Sequence, residues 1–396
     1  MSSLAHAAAG DARVRVALAF DRALVLVVAI VMLLGLVMVA SASITTAADS
    51  GDALALFWRQ LAFAAVATCA MLLGARVPIA WWRRSGPWLL LLGTVLLALV
   101  LVPGIGREVN GSMRWIPLGP VNLQPSELVK VFGVLYLAGY LVRRSDHVRS
   151  RLSGFAKPIA LMSVIALLLL AEPDYGATVV LFATTLTMLF LGGVPFLSFL
   201  AWVFAIVSVF AAMMISAPYR MERLLTFIDP WSDPYGSGFQ LTQALIAIGR
   251  GEWFGVGLGQ SVQKLHYLPE AHTDFLFAVL SEELGLAGGV LTIALFAFIT
   301  WRAFRIGRRA MAAGQPYGAH LAYGVGLLIG LQAYLNIGVN LGLLPTKGLT
   351  LPLMSYGGSS LLANAIAIGL LLRVDAESSA LERAPAGRAA TPREAR

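Results

Sequence analysis

The sequence predicts an all-α integral membrane protein with ten transmembrane helices and one long extracytoplasmic loop between the seventh and eighth. Two observations support this fold class. The chain is 58% hydrophobic and 13% charged, with a mean hydropathy of +0.79, whereas a soluble domain carries about 25% charged residues. Apolar runs of about 20 residues, the length that crosses a bilayer, recur along the whole chain.

The ten predicted spans follow one another with short connections, apart from one. Their limits are 23–43, 56–75, 86–103, 124–142, 157–171, 176–192, 194–216, 274–300, 317–342 and 355–373. The first span has the length of a membrane helix and no small-residue cleavage site, so we predict that it is retained and is not a signal peptide. The single cysteine, Cys69, excludes an intrachain disulfide.

Basic residues set the predicted orientation. Most of the 29 Lys and Arg residues lie in the two terminal segments and in the loops 76–84, 143–157 and 302–309. The positive-inside rule therefore puts both termini in the cytoplasm. We predict a cytoplasmic segment over 1–22, a membrane domain over 23–373 and a disordered cytoplasmic tail over 374–396. Because the basic residues sit between apolar runs, the net charge of +8 does not indicate nucleic-acid binding.

The extracytoplasmic loop 217–273 is the longest connection. Structureless loops longer than about 12–15 residues are uncommon unless they are functional. Within this loop, an apolar face recurs at helical spacing, formed by Phe239, Leu241, Leu245 and Ile248. We therefore predict a short amphipathic helix over 239–248 that lies in the outer membrane interface.

Arg114 and Trp115 follow the third span, just after the turn dipeptide Asn110-Gly111. Two interpretations remain open. In one, the pair is an aromatic-belt anchor beside an arginine that extends to the headgroups. In the other, Arg114 contacts an anion or a sugar of a substrate.

Glu127 and Lys130 lie at i and i+3 at the start of the fourth span, so they share a helix face and can form an ion pair. Lys130 lies roughly 10 Å into that helix, and a charge at mid-span costs about 2.5–3.5 kcal/mol. Lys130 is half of a buried ion pair, a direct substrate contact, or both.

Glu172 and Asp174 form a tight turn between the fifth and sixth spans. Two carboxylates in such a turn can bind a divalent cation. Asp is also a preferred residue at the start of a helix, where its charge meets the positive end of the dipole. We favour the capping interpretation for this turn.

Asp274 lies where the eighth span enters the membrane. Partial desolvation raises the pKa of a carboxyl group, as a general base requires, but spacing alone favours an N-cap of the span. His272 and Asp274 are too few ligands for a metal site. The glycine run 255–259 follows no strand, which rejects a dinucleotide site. Glu282 and Glu283 are either buried with partners or line a polar path.

Several ordered stretches between about residues 23 and 373 resemble the SEDS family of peptidoglycan polymerases. They are Val109-Asn110-Gly111-Ser112, Arg114-Trp115-Ile116, Gln124-Pro125-Ser126-Glu127-Leu128, Glu172-Pro173-Asp174, Leu268-Pro269-Glu270-Ala271-His272-Thr273-Asp274-Phe275 and Pro352-Leu353-Met354-Ser355-Tyr356-Gly357-Gly358-Ser359-Ser360. The stretches 229–231, 255–265 and 344–352 resemble the cell-division branch more than the elongation branch. Several long matches in one order are far more specific than one short motif.

The resemblance implies a ten-span SEDS fold and an inverting transfer of the glycan of lipid II onto a growing strand. It makes Asp274 the essential carboxylate, which overrides the capping interpretation. The candidate substrate-binding residues are Arg114, Glu127, Lys130, His272, Lys347 and Ser355. No tightly bound cofactor is expected, and Mg²⁺ or another divalent cation is a candidate for neutralising the pyrophosphate together with the basic side chains.

The resemblance also implies partners at the division septum of the plasma membrane. These are the nascent glycan strand, a class B penicillin-binding transpeptidase that crosslinks it, and other divisome membrane proteins. Two alternatives stay open: a lipid II flippase, whose path would use intramembrane charges such as Glu127 and Glu282, and an elongation-type polymerase. The clustering of polar residues on the outer face favours chemistry over translocation, and an inactive scaffold would leave that cluster unexplained.

Overall fold

The computed structural model describes residues 20–48, 54–109, 112–119, 121–150, 152–215, 227–265, 267–345 and 348–383. Its helices are α1 (Arg22–Ala48), α2 (Ala55–Arg76), α3 (Ile79–Val100), α4 (Pro125–Arg143), α5 (Ser145–Ser150), α6 (Leu152–Ala171), α7 (Tyr175–Leu191), α8 (Phe196–Ile215), α9 (Phe239–Arg250), α10 (Leu276–Ala312), α11 (Pro316–Asn340) and α12 (Gly358–Arg383). All but α5 and α9 correspond to the predicted spans. Eight of these described helices are long and apolar enough to cross a membrane, and α7 and α8 are apolar helices in the remaining two spans. The predicted helical membrane bundle is confirmed.

Three helices form the centre of the bundle. In the most apolar 18-residue stretch of α4, α11 and α12, the buried share is 83%, 72% and 89%, against 22% and 28% in α2 and α3. The outer helices α2 and α3 therefore present most of their surface to lipid. Polar side chains in the central three are removed from lipid, where they would be costly, and can be used to position a site.

A small antiparallel sheet was not predicted. Its strands are β1 (Arg107–Val109), β2 (Ser112–Leu118) and β3 (Val121–Leu123), in the order β1-β2-β3. Val109 pairs with Ser112, and the predicted turn at 110–111 between them lies outside the described residues. The strands have three to seven residues, too short for their alternation to stand out in an apolar chain. The sheet positions Arg114 and leads into α4.

The helix α12 continues past Arg373, the predicted end of the last span, to Arg383. The prediction of a disordered tail from residue 374 is therefore wrong for residues 374–383. Arg373 Nε donates to Glu377 Oε1 at 2.7 Å, one helical turn away. Arg309 Nη1 on α10 donates to Asp375 Oδ1 at 2.9 Å. These ion pairs hold the polar end of α12 as a helix against α10. Residues 384–396 lie outside the described residues.

The predicted amphipathic helix over 239–248 is present as α9, but its buried side packs on protein. Its buried residues are Leu241, Thr242, Ala244 and Ala247, and the helix packs against α10 and α11. Phe239, Leu245 and Ile248 of the predicted apolar face are only partly buried. Insertion of that face into the membrane interface is therefore wrong for Leu241, which is covered by the bundle.

The helix α10 is interrupted at Gly285, which the sequence did not predict. Gly285 has φ +68° and ψ −166°, a region that glycine alone occupies readily. The long loop that precedes α10 inserts its backbone at this break: Val256 N donates to Glu282 O at 3.0 Å and Leu286 N donates to Glu252 O at 2.8 Å. The break thus converts helical hydrogen bonds into bonds with the loop.

Gly285→Ala is expected to lower the free energy of unfolding by at least about 1–3 kcal/mol, the cost of a non-glycine residue at this φ and ψ. A β-carbon there would also lie 2.4 Å from Gly255 N. The matched control is Gly259→Ala, because Gly259 has φ +79° but no heavy atom within 4 Å of such a β-carbon. Thermal unfolding in detergent measures both variants. Equal midpoints would contradict a packing role for Gly285.

Glu282 and Glu283 are buried and partnered, which decides between the two interpretations of these carboxylates. Glu283 Oε1 accepts hydrogen bonds from Ser41 Oγ at 2.6 Å and Lys264 Nζ at 2.9 Å. Glu282 Oε1 accepts from Arg250 Nη1 at 3.0 Å, and Glu282 Oε2 from Ser261 Oγ. Because buried charges require partners, these two carboxylates fasten the loop to the bundle and do not line an open polar path.

Candidate active site around Asp274

The backbone just before α10 is held by two other parts of the chain through three successive carbonyl groups. Tyr356 N donates to His272 O at 2.9 Å. Ser355 Oγ donates to Thr273 O at 2.6 Å. The carbonyl of Asp274 accepts hydrogen bonds from two side-chain amides of α11. Because each of these carbonyls is bound from outside its own segment, the backbone that carries Asp274 is fixed in position.

Asn336 and Asn340 of α11 bind the carbonyl of Asp274. Asn336 Nδ2 donates to it at 2.8 Å and Asn340 Nδ2 at 3.0 Å. Asn336 Nδ2 also donates to Leu349 O at 2.5 Å, which joins the segment before α10 to the loop after α11. Neither residue was predicted from the sequence to belong to the site. Gln332, Asn336 and Asn340 recur every fourth residue in an apolar span, and this spacing on one helix face was the available signal.

The carboxylate of Asp274 faces Gly348 and Arg114. A β-carbon built on Gly348 would lie 3.3 Å from Asp274 Oδ2 and 3.8 Å from Arg114 Nη1. A side chain at position 348 would enter the space between the Asp274 carboxylate and the Arg114 guanidinium, and glycine leaves this space open. The Asp274 carboxylate accepts no hydrogen bond from a described residue, and α10 has Phe275 as its N-cap with no side-chain cap. The N-cap interpretation of Asp274 is therefore wrong.

Burial raises the pKa of Asp274 to about 7, with further raising by the negative charges of Glu270 and Asp174 and lowering by Arg114. A carboxyl group in this range exchanges its proton near neutral pH, as an efficient general base must. Burial lowers the pKa of His272, against a smaller raising by the negative charge of Glu270, and so favours the neutral ring. That ring lies edge-on to Tyr356 at 5.5 Å between centroids.

Arg114 is held by main-chain carbonyls. Its Nε donates to Glu172 O at 3.1 Å and its Nη2 donates to Pro173 O at 2.6 Å. Among the described residues, no carboxylate forms an ion pair with this guanidinium at 4 Å or less. Its remaining nitrogen, Nη1, lies beside Gly348. The carbonyls of the turn after α6 therefore hold the Arg114 guanidinium near the Asp274 carboxylate and leave its positive charge unneutralised.

Asp174 caps α7, which confirms the capping interpretation of this turn. Its Oδ1 accepts from Ala177 N at 3.0 Å and its Oδ2 accepts from Ser126 Oγ at 3.0 Å. Because both oxygens are committed, Asp174 is not free to bind a cation. In the described part of the chain, no group of three or more His, Cys, Asp and Glu side chains has the geometry of a metal site.

Glu172 is fully buried, and neither of its carboxyl oxygens has a hydrogen-bond partner among the described residues. Burial and the neighbouring charge of Asp174 raise the pKa of Glu172 to about 9, against a smaller lowering by Arg114. Glu172 is therefore protonated at neutral pH. A neutral acid leaves the Arg114 charge available, whereas an ionised Glu172 would compete for it.

Glu172→Gln is expected to stabilise the protein increasingly as the pH rises from 5 to 9. A carboxyl whose folded pKa is raised stabilises the fold fully below its unfolded value, and this contribution is lost as the pH rises toward about 9. At pH 7 the loss is on the order of 3 kcal/mol. Thermal unfolding across this pH range measures it, with the exposed Glu108→Gln as control. A pH-independent difference between wild type and Glu172→Gln would contradict a buried neutral acid.

Glu127 and Lys130 form the buried ion pair that was one of the two predicted possibilities. Lys130 Nζ lies 2.8 Å from Glu127 Oε1 and also donates to Gln332 Oε1 at 2.8 Å. Gln332 Nε2 in turn donates to Thr350 O at 3.1 Å. The pair therefore supports the loop that follows Gly348, through Gln332. Its contact with the site is indirect, and Lys130 has no uncompensated charge to offer.

Two of the predicted site residues remain, Ser355 and Lys347. Ser355 holds the backbone of Thr273 and accepts from Leu351 N at 2.9 Å, so it orders the site through its hydroxyl. Gln60 of α2, which was not predicted to belong to the site, donates to Ser355 O at 3.1 Å. Lys347 lies outside the described residues, and its role stays a prediction.

Known proteins of similar sequence cover nearly the whole chain. A family model described as cell cycle protein, which groups FtsW, RodA and SpoVE, matches residues 21–380. A Nitrosococcus halophilus protein named "Probable peptidoglycan glycosyltransferase FtsW" is 57% identical over 87% of this chain and 89% of its own length. A protein of the same name from Thioalkalivibrio sulfidiphilus is 56% identical over 92% of each chain.

Solved structures give the same likeness. One is described as the structural coordination of polymerization and crosslinking by a peptidoglycan synthase complex. It is 31% identical, with a TM-score of 0.76, and covers 91% of this chain and 98% of that one. The rod shape determining protein RodA of Thermus thermophilus is 30% identical, with a TM-score of 0.66, over 90% and 97%. With this family match over most of its length, the chain belongs to the FtsW, RodA and SpoVE family of multi-pass membrane proteins.

Proposed function

We propose that the chain is a peptidoglycan glycosyltransferase that polymerises lipid II into glycan strands during septal cell-wall synthesis. The observation that carries the proposal is that a mostly buried carboxylate, Asp274, lies beside Arg114 in a family whose curated relatives bear this enzyme name. A bundle of membrane helices also suits a substrate that is anchored in the bilayer by its lipid tail.

In the proposed reaction, Asp274 is the general base. It takes the proton of the C4 hydroxyl of N-acetylglucosamine on the acceptor while that oxygen attacks the anomeric carbon of N-acetylmuramic acid on the donor. The bond from this carbon to undecaprenyl pyrophosphate breaks, and the pyrophosphate leaves with the electron pair. One displacement converts the α-linked donor into a β-linked product. The pKa of Asp274 near 7 suits this proton transfer at neutral pH.

The pyrophosphate leaves more readily when its charge is neutralised, and Arg114 is the group that we assign to this role. Its two carbonyl hydrogen bonds fix the guanidinium in advance, so that no reorganisation is needed when charge develops. We assign Lys130 a positioning role because Glu127 already neutralises it. Lys347 is next to Gly348 in the sequence and remains a candidate for a second cation that neutralises the pyrophosphate.

The described residues do not fit a metal site of the protein's own. In the turn after α6, Asp174 caps α7 and Glu172 is buried in its protonated form, so neither carboxyl group is available to bind a cation. A divalent cation, which stays a prediction, would therefore have to be bound chiefly by the pyrophosphate.

We place the Asp274 end of the bundle on the extracytoplasmic side and both termini in the cytoplasm, by the positive-inside rule. The protein would act at the division septum. A class B penicillin-binding transpeptidase is the proposed partner, since a related solved structure is described as a complex that coordinates polymerization with crosslinking. Other divisome membrane proteins and the nascent glycan strand complete the expected set.

Neither alternative gains support. A flippase needs polar groups free along its path, but Glu282 and Glu283 bind the loop, and Glu127 binds Lys130. An elongation-type polymerase would share the site chemistry, but the curated relatives described above, at 56–57% identity, are named FtsW, whereas the RodA structure is only 30% identical.

The proposal is tested by purifying the chain with its transpeptidase partner and supplying labelled lipid II in two formats. In detergent, the expected result is a ladder of glycan polymer that muramidase digests. In sealed proteoliposomes, the expected result is no increase in the movement of labelled lipid II across the bilayer. Movement of lipid II without polymer in either format would overturn the proposal in favour of a flippase.

A further inference from the structure

A cavity lined by several basic side chains lies at the end of the bundle opposite Asp274. It has a volume of about 650 Å³ and lies between the amino ends of α3 and α11, the carboxyl end of α4 and the last turns of α12. By the orientation proposed above, this end faces the cytoplasm. The polymerase mechanism uses none of the residues around this cavity.

Three arginines line the cavity: Arg83, Arg84 and Arg143. Among the described residues, no carboxylate lies within ion-pair distance of any of the three. The one acidic side chain in the lining, Glu377, is already engaged, since it accepts from Arg373 Nε at 2.7 Å and from Ile79 N at 3.0 Å. The cavity therefore has an excess of positive charge that the described part of the chain does not neutralise.

A buried hydroxyl without a partner belongs to the same cavity. Tyr317 is 4% exposed, and its hydroxyl has no hydrogen-bond partner among the described residues. Arg83 and Arg143 line the same cavity as Tyr317. Burying an unpaired hydroxyl is unfavourable, so a buried unpaired hydroxyl in a cavity that two unpaired arginines also line points to a ligand that accepts hydrogen bonds from all three.

The start of α11 adds main-chain donors to this set. The helix begins at Pro316, and its N-cap residue, Gln315, provides no side-chain cap. Both residues line the cavity. The first N–H groups of a helix and its positive dipole end favour an anion. Arginine forks, a phenolic hydroxyl and a helix amino end together form the donor set that a phosphate group accepts.

We propose that this cavity binds the phosphate of an anionic phospholipid headgroup from the cytoplasmic leaflet. Basic pockets between transmembrane helices on the cytoplasmic side are a known type of lipid headgroup site. The apolar residues in the lining, such as Ile79 and Pro87, suit the glycerol and the upper acyl chains. A soluble phosphate would satisfy the same donors but would not use the apolar wall.

The charged tail of the chain is a poor alternative occupant. Residues 384–396 contain Arg388, Arg393 and Arg396 against one acidic side chain, Glu394. A segment with this excess of positive charge would be repelled by three unpaired arginines. An external anion is therefore the better match to the cavity.

The test measures lipid retention by native mass spectrometry of the purified chain in detergent. The probes are phosphatidylglycerol and phosphatidylcholine with identical acyl chains, and inorganic phosphate is the soluble competitor. Wild type is expected to prefer phosphatidylglycerol. The double variant Arg83→Gln, Arg143→Gln is expected to lose about tenfold in affinity, as for the removal of charge-assisted hydrogen bonds.

Two further variants separate a built site from general surface charge. Arg308→Gln removes an exposed basic charge of α10 that does not line the cavity, and it is expected to bind phosphatidylglycerol as wild type does. Tyr317→Phe removes only the unpaired hydroxyl. It is expected to weaken phosphatidylglycerol binding roughly threefold, with no loss of thermal stability in lipid-free detergent.

Three outcomes would overturn the proposal. One is equal binding of phosphatidylglycerol by the double variant and wild type. Another is an equal loss in Arg308→Gln and the double variant, which would reduce the effect to overall charge. The third is displacement of phosphatidylglycerol by inorganic phosphate at millimolar concentration, which would assign the cavity to a soluble phosphate.

Discussion

Asp274→Asn is expected to reduce the rate of glycan polymerisation by about 10²–10⁴-fold, the range for removing a general base. Asn has nearly the same size and cannot take a proton. The main-chain carbonyl at this position keeps its hydrogen bonds to Asn336 and Asn340, so the variant is expected to fold. The measurement is the rate of polymer formation from labelled lipid II by the chain with its transpeptidase partner.

The matched control is Asp233→Asn, in the long loop that precedes Asp274. Asp233 is exposed and its carboxylate accepts hydrogen bonds from Gly236 N at 3.1 Å and Ser237 N at 2.8 Å, within its own turn. It is expected to polymerise at the wild-type rate. If Asp274→Asn, shown to be folded by its unfolding midpoint, also polymerises at that rate, Asp274 is not the base.

The same assignment predicts how the rate depends on pH. A general base acts in its deprotonated form, so the wild-type rate is expected to rise as the pH increases through about 7, the pKa of Asp274, and to level off above it. Well below this pKa the rate should fall about tenfold per pH unit. A rate that stays level from pH 5 to 8 would contradict the assignment.

Arg114→Gln is expected to reduce polymerisation by about 10²–10³-fold, the range for removing one preorganised donor from a site of developing charge. The substitution removes both the charge near Asp274 and the hydrogen bonds to the carbonyls of Glu172 and Pro173. Because Arg114 lowers the pKa of Asp274, its loss should also move the rise of the pH profile to higher pH.

Arg114→Lys separates the charge from its geometry. Lysine keeps the charge but has no planar fork to bind two carbonyls at once, so an intermediate rate is expected. The control is Arg107→Gln on the neighbouring strand β1, where the side chain is exposed. Equal losses in Arg107→Gln and Arg114→Gln would mean that the sheet, and not the guanidinium at the site, is what polymerisation requires.

The sequence by itself determined the features that depend on local spacing. Apolar stretches of membrane-spanning length predicted the ten helices, because the bilayer sets the length of an apolar run. The i, i+3 spacing of Glu127 and Lys130 predicted their ion pair as one of two interpretations. Asp174 just before a span predicted its cap, because a cap is an interaction between residues three positions apart.

Local patterns were less informative where interactions with distant segments decide the conformation. Span ends were placed by hydropathy, so the extension of α12 to Arg383, held by Arg309 on another helix, was missed. The same limit applies to Asp274, for which spacing favoured a cap. The family resemblance corrected that choice, and the structure agrees in giving α10 no side-chain cap.

Only the tertiary structure decided which polar groups meet. Asp274 is brought to Arg114 and to Asn336 from three separate segments of the chain, and no periodicity encodes such a meeting. From the sequence, Glu282 and Glu283 could line a polar path or form buried pairs. The ion pairs with Arg250 and Lys264 in the structure decide for buried pairs. The physical reason is that a charge inside a membrane bundle is defined by its partners, and partners far apart in sequence become neighbours only when the helices pack.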